Sequence, residues 1–425
     1  MYHIVATVLV AGACASSLQA QGDLPSDPGS SVAAPVLTLA DALIAAGATS
    51  PAIEASQSGL RAAAAQRAIA GLRPNPSFDA MSENVAGSGA YRGLRAAETT
   101  VGVSLPIELG GKRGARVAVA DAMSGRADLQ TAIAQADLRL RVTQAYIDAV
   151  ANQRRAATAR DQRGIAAEVL LGARVRVRAG RASPLEEQRA DVARLAAEGA
   201  VERAERSAQV AVDTLARLTG RPAASLDVGW FDRVARIGPE RPVETGSTLA
   251  TMAARTDVSI ATAQVQLARS QRIPDLTLGA AARRLSVSND VAGVFSLSVP
   301  LPFFNGGRAA VDMATAQRDQ ADANRRVALL EADQAIASAR VDAANAATTA
   351  RTATGPMLAA AQEATRIARI GYREGKFGQL DLLEAERALA ETRTTAIDAL
   401  ASYHDAEARL DRLVAPAPQV TKDAR

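Results

Sequence analysis

The sequence predicts a mostly α-helical fold with a β-barrel part: long antiparallel coiled-coil hairpins, four short strands per chain and an internal duplication. Three observations predict it. The first is the duplication. Val103-Ser-Leu-Pro-Ile-Glu-Leu-Gly-Gly-Lys-Arg113 returns as Val299-Pro-Leu-Pro-Phe-Phe-Asn-Gly-Gly-Arg308, and Arg178-Ala-Gly-Arg-Ala-Ser-Pro-Leu-Glu186 returns as Arg373-Glu-Gly-Lys-Phe-Gly-Gln-Leu-Asp381. Leu215-Ala-Arg-Leu218 returns as Leu410-Asp-Arg-Leu413. The matches keep nearly one offset, so they mark a single long repeat, and a unit this long is half a molecule rather than a solenoid module. The second is a seam of Leu129, Ile133, Ala136, Leu140, Thr143, Ile147 and Val150, spaced alternately four and three apart as in a coiled coil. The third is a set of short segments alternating apolar and small or polar residues, of the length of a tilted membrane strand.

The elements follow in order. Residues 1–20 read as a signal peptide, with an apolar segment from Ile4 to Ala13 and a small-residue cleavage site at Leu18-Gln19-Ala20. Cys14, the single cysteine, follows Ala11-Gly12-Ala13 in an arrangement resembling a lipidation box, though without the usual Leu three residues earlier. Residues 21–37 form a Pro/Gly/Ser-rich lead. The first repeat, 38–220, opens with a helix capped by Thr38 or Asp41 and running to about Leu72, before Pro74-Asn75-Pro76. A β-hairpin over about 76–107 follows, with Val101, Val103, Leu105 and Ile107 on one face and Gly102 and Ser104 on the other. Lys112 to Arg178 is then one helical run of about 100 Å at the usual rise. It reverses at Gly180, where glycine supplies the left-handed helix end, and Pro184 suits the first turn of the return helix. That helix carries Val201, Ala204, Ala208, Ala211, Leu215 and Leu218.

Residues 221–247, with Pro222, Pro239, Pro242 and the lone Trp230 beside Phe231, read as an inter-repeat linker. The second repeat, 248–415, has a helix and a β-hairpin over about 275–302. In that hairpin Leu276 and Leu278, and later Phe295, Leu297, Val299 and Leu301, each hold one face. A long helical hairpin reverses at Gly375, and its return helix carries Leu382, Ala385, Leu389, Arg393, Ala396, Leu400, Tyr403, Glu407 and Leu410. Residues 416–425 are a tail. Four strands are too few to close a membrane barrel, and an open edge in lipid is too costly. Strands of this kind therefore either share a barrel between several chains or form an ordinary hairpin on a soluble domain.

Composition narrows the function. The chain is 48% hydrophobic but only 3% aromatic, and its apolar residues are chiefly Ala, which favours long helix-on-helix packing and oligomerisation. A net charge of +4 on 425 residues is too mild for nucleic-acid binding, and the interleaved charges describe a solvated helix face. No HExxH, CxxC, GxSxG or GxxxxGKS motif occurs, so no catalytic residue, cofactor site or metal-ligand set is assigned, and an enzyme is not expected. His404 reads as a partly exposed helix histidine. Gly110-Gly111-Lys112-Arg113 could start an anion-binding helix, but its duplicate at Gly306-Gly307-Arg308 makes a turn the better reading. Past the reversals lie carboxylates: Glu186 and Glu187 in the first copy, and Asp381, Glu384 and Glu386 in the second. They complement the helix dipole; repeated around an oligomer axis they would also form cation-selecting rings.

Together these residues resemble the TolC-type outer-membrane efflux proteins. The Glu108-Leu-Gly-Gly-Lys-Arg113 stretch is similar to the CzcC-like branch that serves heavy-metal pumps, and Gly371-Tyr-Arg-Glu-Gly-Lys-Phe-Gly-Gln-Leu-Asp-Leu-Leu-Glu384 is a further marker. The resemblance spans about Leu37 to Val414. It implies a homotrimer in the cell outer membrane, its hairpins sharing one transmembrane β-barrel among lipids and its helices forming a periplasmic tunnel. It implies partners too: a periplasmic adaptor and a proton-driven inner-membrane pump of the RND type, with divalent heavy-metal cations as substrate. By the same resemblance Tyr372 matches a gating tyrosine. Glu186 and Asp381 match pore-constriction carboxylates, and Glu384, three residues on and on the same helix face as Asp381, is a further candidate by spacing. Gly180, Arg181, Gly375, Lys376 and Phe377 fall at the adaptor-docking tips. Phe377 departs from the arginine found nearby in the best-known member, so that member's closed-gate network does not transfer. A multidrug or type I secretion duct, or a soluble periplasmic adaptor, would share much of this pattern.

Overall fold

The computed structural model describes residues 36–222, 225–235 and 243–418. The signal peptide with Cys14, nearly all of the lead, parts of the linker and the end of the tail lie outside the described residues. In chain order the elements are α1 (Leu39–Thr49), α2 (Pro51–Ala70), β1 (Ser77–Glu83), β2 (Glu98–Ile107), α3 (Lys112–Arg178) and α4 (Pro184–Thr219). The second copy supplies α5 (Leu249–Gln271), β3 (Leu276–Leu285), β4 (Val291–Ser298), α6 (Arg308–Thr352), a π turn (Ala353–Met357), α7 (Leu358–Arg373) and α8 (Gln379–Val414). No described helix is long and apolar enough to cross a membrane.

The first helix is not continuous to Leu72 as the sequence reading expected. It starts as anticipated: Thr38 accepts from the Asp41 amide at 3.1 Å while its hydroxyl donates to the Asp41 carboxylate at 2.6 Å. It then breaks at Ser50, held at φ −73°, ψ 120°, because Pro51 bars the preceding residue from helical geometry. Pro51 in turn occupies the first turn of α2, where its missing N–H costs nothing.

Helix α3 runs unbroken for 67 residues between the bounds read from sequence. Its counterpart in the second copy does not. Pro356 lacks the N–H for the bond to the preceding turn, and the chain widens into the π turn from Ala353 to Met357.

The core is built around the middle of α3. Val142, Tyr146, Ala149 and Val150 are fully buried there with Leu215, Phe231, Leu400 and Tyr403. The anticipated seam holds at Leu129, Ile147 and Val150, but Leu138, Val142 and Ala145 form a second buried stripe. Helix α3 needs two because α4, α5 and α8 all pack on it. On α8, Leu382, Leu389, Ala396 and Tyr403 recur every seven residues and are all buried, as a coiled-coil seam requires.

The inter-repeat segment is more than a linker. Leu226 pairs with Leu37 in a parallel bridge, and the Tyr146 hydroxyl donates to the Leu37 and Asp227 carbonyls at 2.7 and 3.0 Å. Trp230 packs edge-on against both Phe231 and His404, and Phe231 lies tilted against His404. His404 is therefore buried rather than partly exposed, its Nε2 2.9 Å from the Phe231 carbonyl.

Candidate functional site

The four strands form one antiparallel sheet in the order β1-β2-β3-β4, so β2 and β3 join the two copies side by side. Registers Ala80↔Val101↔Ala282 and Leu105↔Leu278↔Leu297 put Phe78, Val101, Val103, Leu105, Leu278, Phe295 and Leu297 on one face, while Met81, Leu285 and Val294 fall on the other. The first face is bare: Phe78 is 72% exposed and Phe295 88%. The opposite face is otherwise polar and internally bonded. Ser104 donates to Asp79 at 2.8 Å and lies 2.7 Å from the Ser77 hydroxyl. Arg283 reaches Thr100 and Glu98 at 3.0 Å and Glu83 at 3.4 Å. Space on that face is tight: a Cβ at Gly102 would lie 2.4 Å from the Ala281 Cβ. Strand β4 stops at Ser298, short of the anticipated Val299 and Leu301, because Pro300 cannot donate to a ladder.

Such a sheet has a lipid-compatible exterior and a wetted interior. Both outer edges, on β1 and β4, have no strand partner among the described residues.

Where strands meet long helices, the Glu-Leu-Gly-Gly-Lys-Arg stretch acts as a clamp. Gly110 and Gly111 are left-handed at φ +71° and +72°, and a Cβ at Gly110 would approach Ile273 to 2.8 Å. Lys112 pairs with Asp275 at 2.7 Å, and the Leu109 amide donates to the same carboxylate at 3.1 Å. Burial opposes ionisation of Asp275, but these donors hold its carboxyl below the ordinary range. Arg116 grips Glu108 with both ends of its guanidinium and depresses that carboxyl likewise.

At the far end the two helical hairpins close with the same motif. Gly180 and Gly375 are left-handed at φ +69° and +75°. The Arg181 amide donates to the Arg176 carbonyl at 2.9 Å, and the Lys376 amide to the Gly371 carbonyl at 2.8 Å. This is the six-to-one bond of a Schellman end. Arg181 and Lys376 are exposed at the tips, and Phe377 lies over Gly371, whose added Cβ would meet the ring at 2.1 Å.

The carboxylates separate into distinct roles. Asp381 is exposed and accepts from the Gly378 amide at 2.9 Å, capping its own helix, while Glu384 is exposed one turn further along. Glu187 pairs with Arg174 at 3.1 Å. Glu386 does not join the exposed acids: it is buried and held by both arms of Arg369.

Glu186 meets Gln379, a tip position where the two copies differ, and Tyr372 meets Arg176, which the sequence reading did not single out. Gln379 donates from Nε2 to the Glu186 carbonyl at 2.9 Å, and the Arg176 guanidinium lies 4.5 Å from the Tyr372 ring centre. These contacts join hairpin α3–α4 to hairpin α7–α8. Only the register of two distant helices places them, so no local spacing announces them. Among the described residues no group of three or more His, Cys, Asp or Glu is arranged to hold a metal.

Comparison with known proteins agrees with this architecture. The family model described as outer membrane efflux protein matches residues 43–221 and 248–415, the two copies. The cobalt-zinc-cadmium resistance protein CzcC of Cupriavidus metallidurans is 30% identical over 351 residues, covering 80% of this chain and 81% of CzcC. The nickel-cobalt-cadmium resistance protein NccC of Alcaligenes xylosoxydans xylosoxydans is 30% identical over 296 residues, covering 69% and 67%. The solved outer membrane protein VceC of Vibrio cholerae shares the fold with a TM-score of 0.73 at 20% identity, over 89% of this chain and 96% of that one. A soluble adaptor would present neither a bare apolar sheet face nor a match of both copies to this family. The doubled unit of two-faced hairpin and helical hairpin is that of a channel in the cell outer membrane, and the chain belongs to the outer membrane efflux protein family.

Proposed function

We propose that three copies of this chain close one barrel and tunnel, and that the channel exports divalent heavy-metal cations. It acts as the passive outer-membrane part of a proton-driven assembly with a periplasmic adaptor and an inner-membrane pump. The observation that carries the channel reading is the two-faced sheet with both edges open: four strands per chain cannot close alone, and lipid forbids a free edge. The metal assignment is supported by the relatives, which are named for cobalt, zinc, cadmium and nickel resistance. Reaction chemistry has no place in this reading, because the pump does the work and the channel supplies a path.

The helical tips are the proposed gate and docking end. Asp381 and Glu384, exposed and three residues apart on α8, recur around the trimer axis as a cation-selecting ring. Glu186 and Tyr372 hold the two hairpins together, and Gly180, Arg181, Gly375, Lys376 and Phe377 present the rims to the adaptor.

Deletion of the gene followed by growth on zinc, cobalt, cadmium, nickel, copper and silver salts tests the substrate. Lost tolerance to one or more of the divalent metals is expected. Unchanged metal tolerance with lost drug tolerance would overturn the metal assignment and leave the channel standing.

A further inference from the structure

The junction between the two tips is short of hydrogen bonds on both sides. Six buried side-chain polar atoms have no partner among the described residues, and four of them belong to this junction: Arg176 Nη1, Glu186 Oε2, the Tyr372 hydroxyl and Gln379 Oε1. Buried polar atoms are normally satisfied, and each one left unpaired is costly. A donor and an acceptor lie idle on the same hairpin. Arg176 is in the last turn of α3 and Glu186 in the first turn of α4. Their neighbours Arg174 and Glu187 already pair across that hairpin at 3.1 Å. Antiparallel register therefore sets Arg176 opposite the Leu185–Glu186 step.

Arg176 instead faces Tyr372, its guanidinium 4.5 Å from the ring centre. Meanwhile Gln379 engages only the main-chain carbonyl of Glu186.

We propose that Arg176 is an exchange latch. In the state described here it stacks on Tyr372 and ties the second hairpin to the first. When the second hairpin withdraws, Arg176 swings to the Glu186 carboxylate, so the exposed tip of the first hairpin satisfies its own charges. The inference rests on the reading of the tips as the gate and adds to it a residue and a second state. Cation–π stacking favours the closed arrangement and a charge-assisted bond the open one. The two states are thereby kept close in free energy, as a switch requires. Guanidinium suits both tasks because it is planar and forked, whereas ammonium stacks less well but still pairs with a carboxylate.

The test is single-channel recording of the purified full-length protein in planar bilayers, where each insertion event also reports a folded channel. Tyr372→Ala removes only the closed-state partner and is expected to raise open probability at least about two- to fivefold per chain, the worth of a cation–π contact that is not fully desolvated. Glu186→Gln removes only the open-state charge and is expected to lower it. Arg176→Lys, which favours the ion pair over the stack, is expected to raise it. In an Arg176→Gln background both the Tyr372 and the Glu186 effects should shrink toward none. If Tyr372→Ala opens the channel equally with and without Arg176, the exchange is wrong and the tip gate stands. If none of the four variants changes open probability, the tips are not the gate.

Discussion

At the scale of single residues, the same charge type does different work according to what surrounds it. Asp381 and Glu386 are five positions apart on one helix, yet the first caps an exposed turn and the second is enclosed with Arg369. Arg369 is 46% exposed at its side chain and Glu386 only 7%, so the two deletions are unequal. Arg369→Ala strands a buried carboxylate and should cost about 2–3 kcal/mol, discounted for solvent reach, whereas Glu386→Ala leaves an arginine that can turn to water and should cost less. Thermal unfolding of the two variants in detergent checks the order. His404 gives a pH prediction. Burial lowers its proton affinity below the ordinary histidine value of 6.5, against the opposing pull of the Phe231 carbonyl. The unfolded chain therefore binds the proton more readily, and this contribution is intact above about pH 6.5 and erodes as pH falls below it. His404→Gln should flatten that decline in a melting-temperature series from pH 7.5 to 5. Asp381→Asn should reduce cation selectivity in bilayer recordings while leaving the helix start formed, since the asparagine Oδ1 can still accept from the Gly378 amide; unchanged selectivity would remove Asp381 from the proposed ring.

At the scale of elements, the strands carry the most information per residue, because neighbours along them face opposite solvents. Val103 lies on the exposed apolar face and Ser104 on the polar face beside Asp79. Arginine at Val103 should cost about 2–4 kcal/mol near the bilayer midplane. Arginine at Ser104 can pair with Asp79 and should be tolerated while altering conductance. Outer-membrane yield and bilayer conductance of V103R and S104R separate the two. The helices show a similar contrast between copies. Both hairpins reverse through a left-handed glycine, but only the second is interrupted, at the π turn around Pro356. These bounds were legible: Lys112, Arg178 and the turn glycines follow from helix-end chemistry alone. The break at Pro51 follows from the same chemistry, although the apolar pattern runs on across it.

At the scale of the whole molecule, the duplication explains why two hairpins sit in one sheet. Strands β2 and β3 pair across the boundary between copies over ten residues on each strand, and the same joint made between chains would pair β4 of one with β1 of the next. Extraction of the protein from outer membranes without heating should yield a species three chains in size that collapses to one chain on boiling. Migration as a single chain before heating would overturn the proposed trimer. The core supports this division. It gathers Tyr146, Phe231 and Tyr403 from α3, the inter-repeat segment and α8, so one buried cluster fastens both copies.

The sequence by itself determined the doubled plan, the two hairpins and the faces of β2, the uninterrupted α3 and the glycine reversals, because each depends on local conformational preference or on periodicity within one element. Only the tertiary structure decided that the inter-repeat segment is core, that His404 is buried, that Glu386 is locked by Arg369 and that Arg176 meets Tyr372. Those contacts join positions far apart in the chain, and their geometry is fixed by the register of long helices packed side by side.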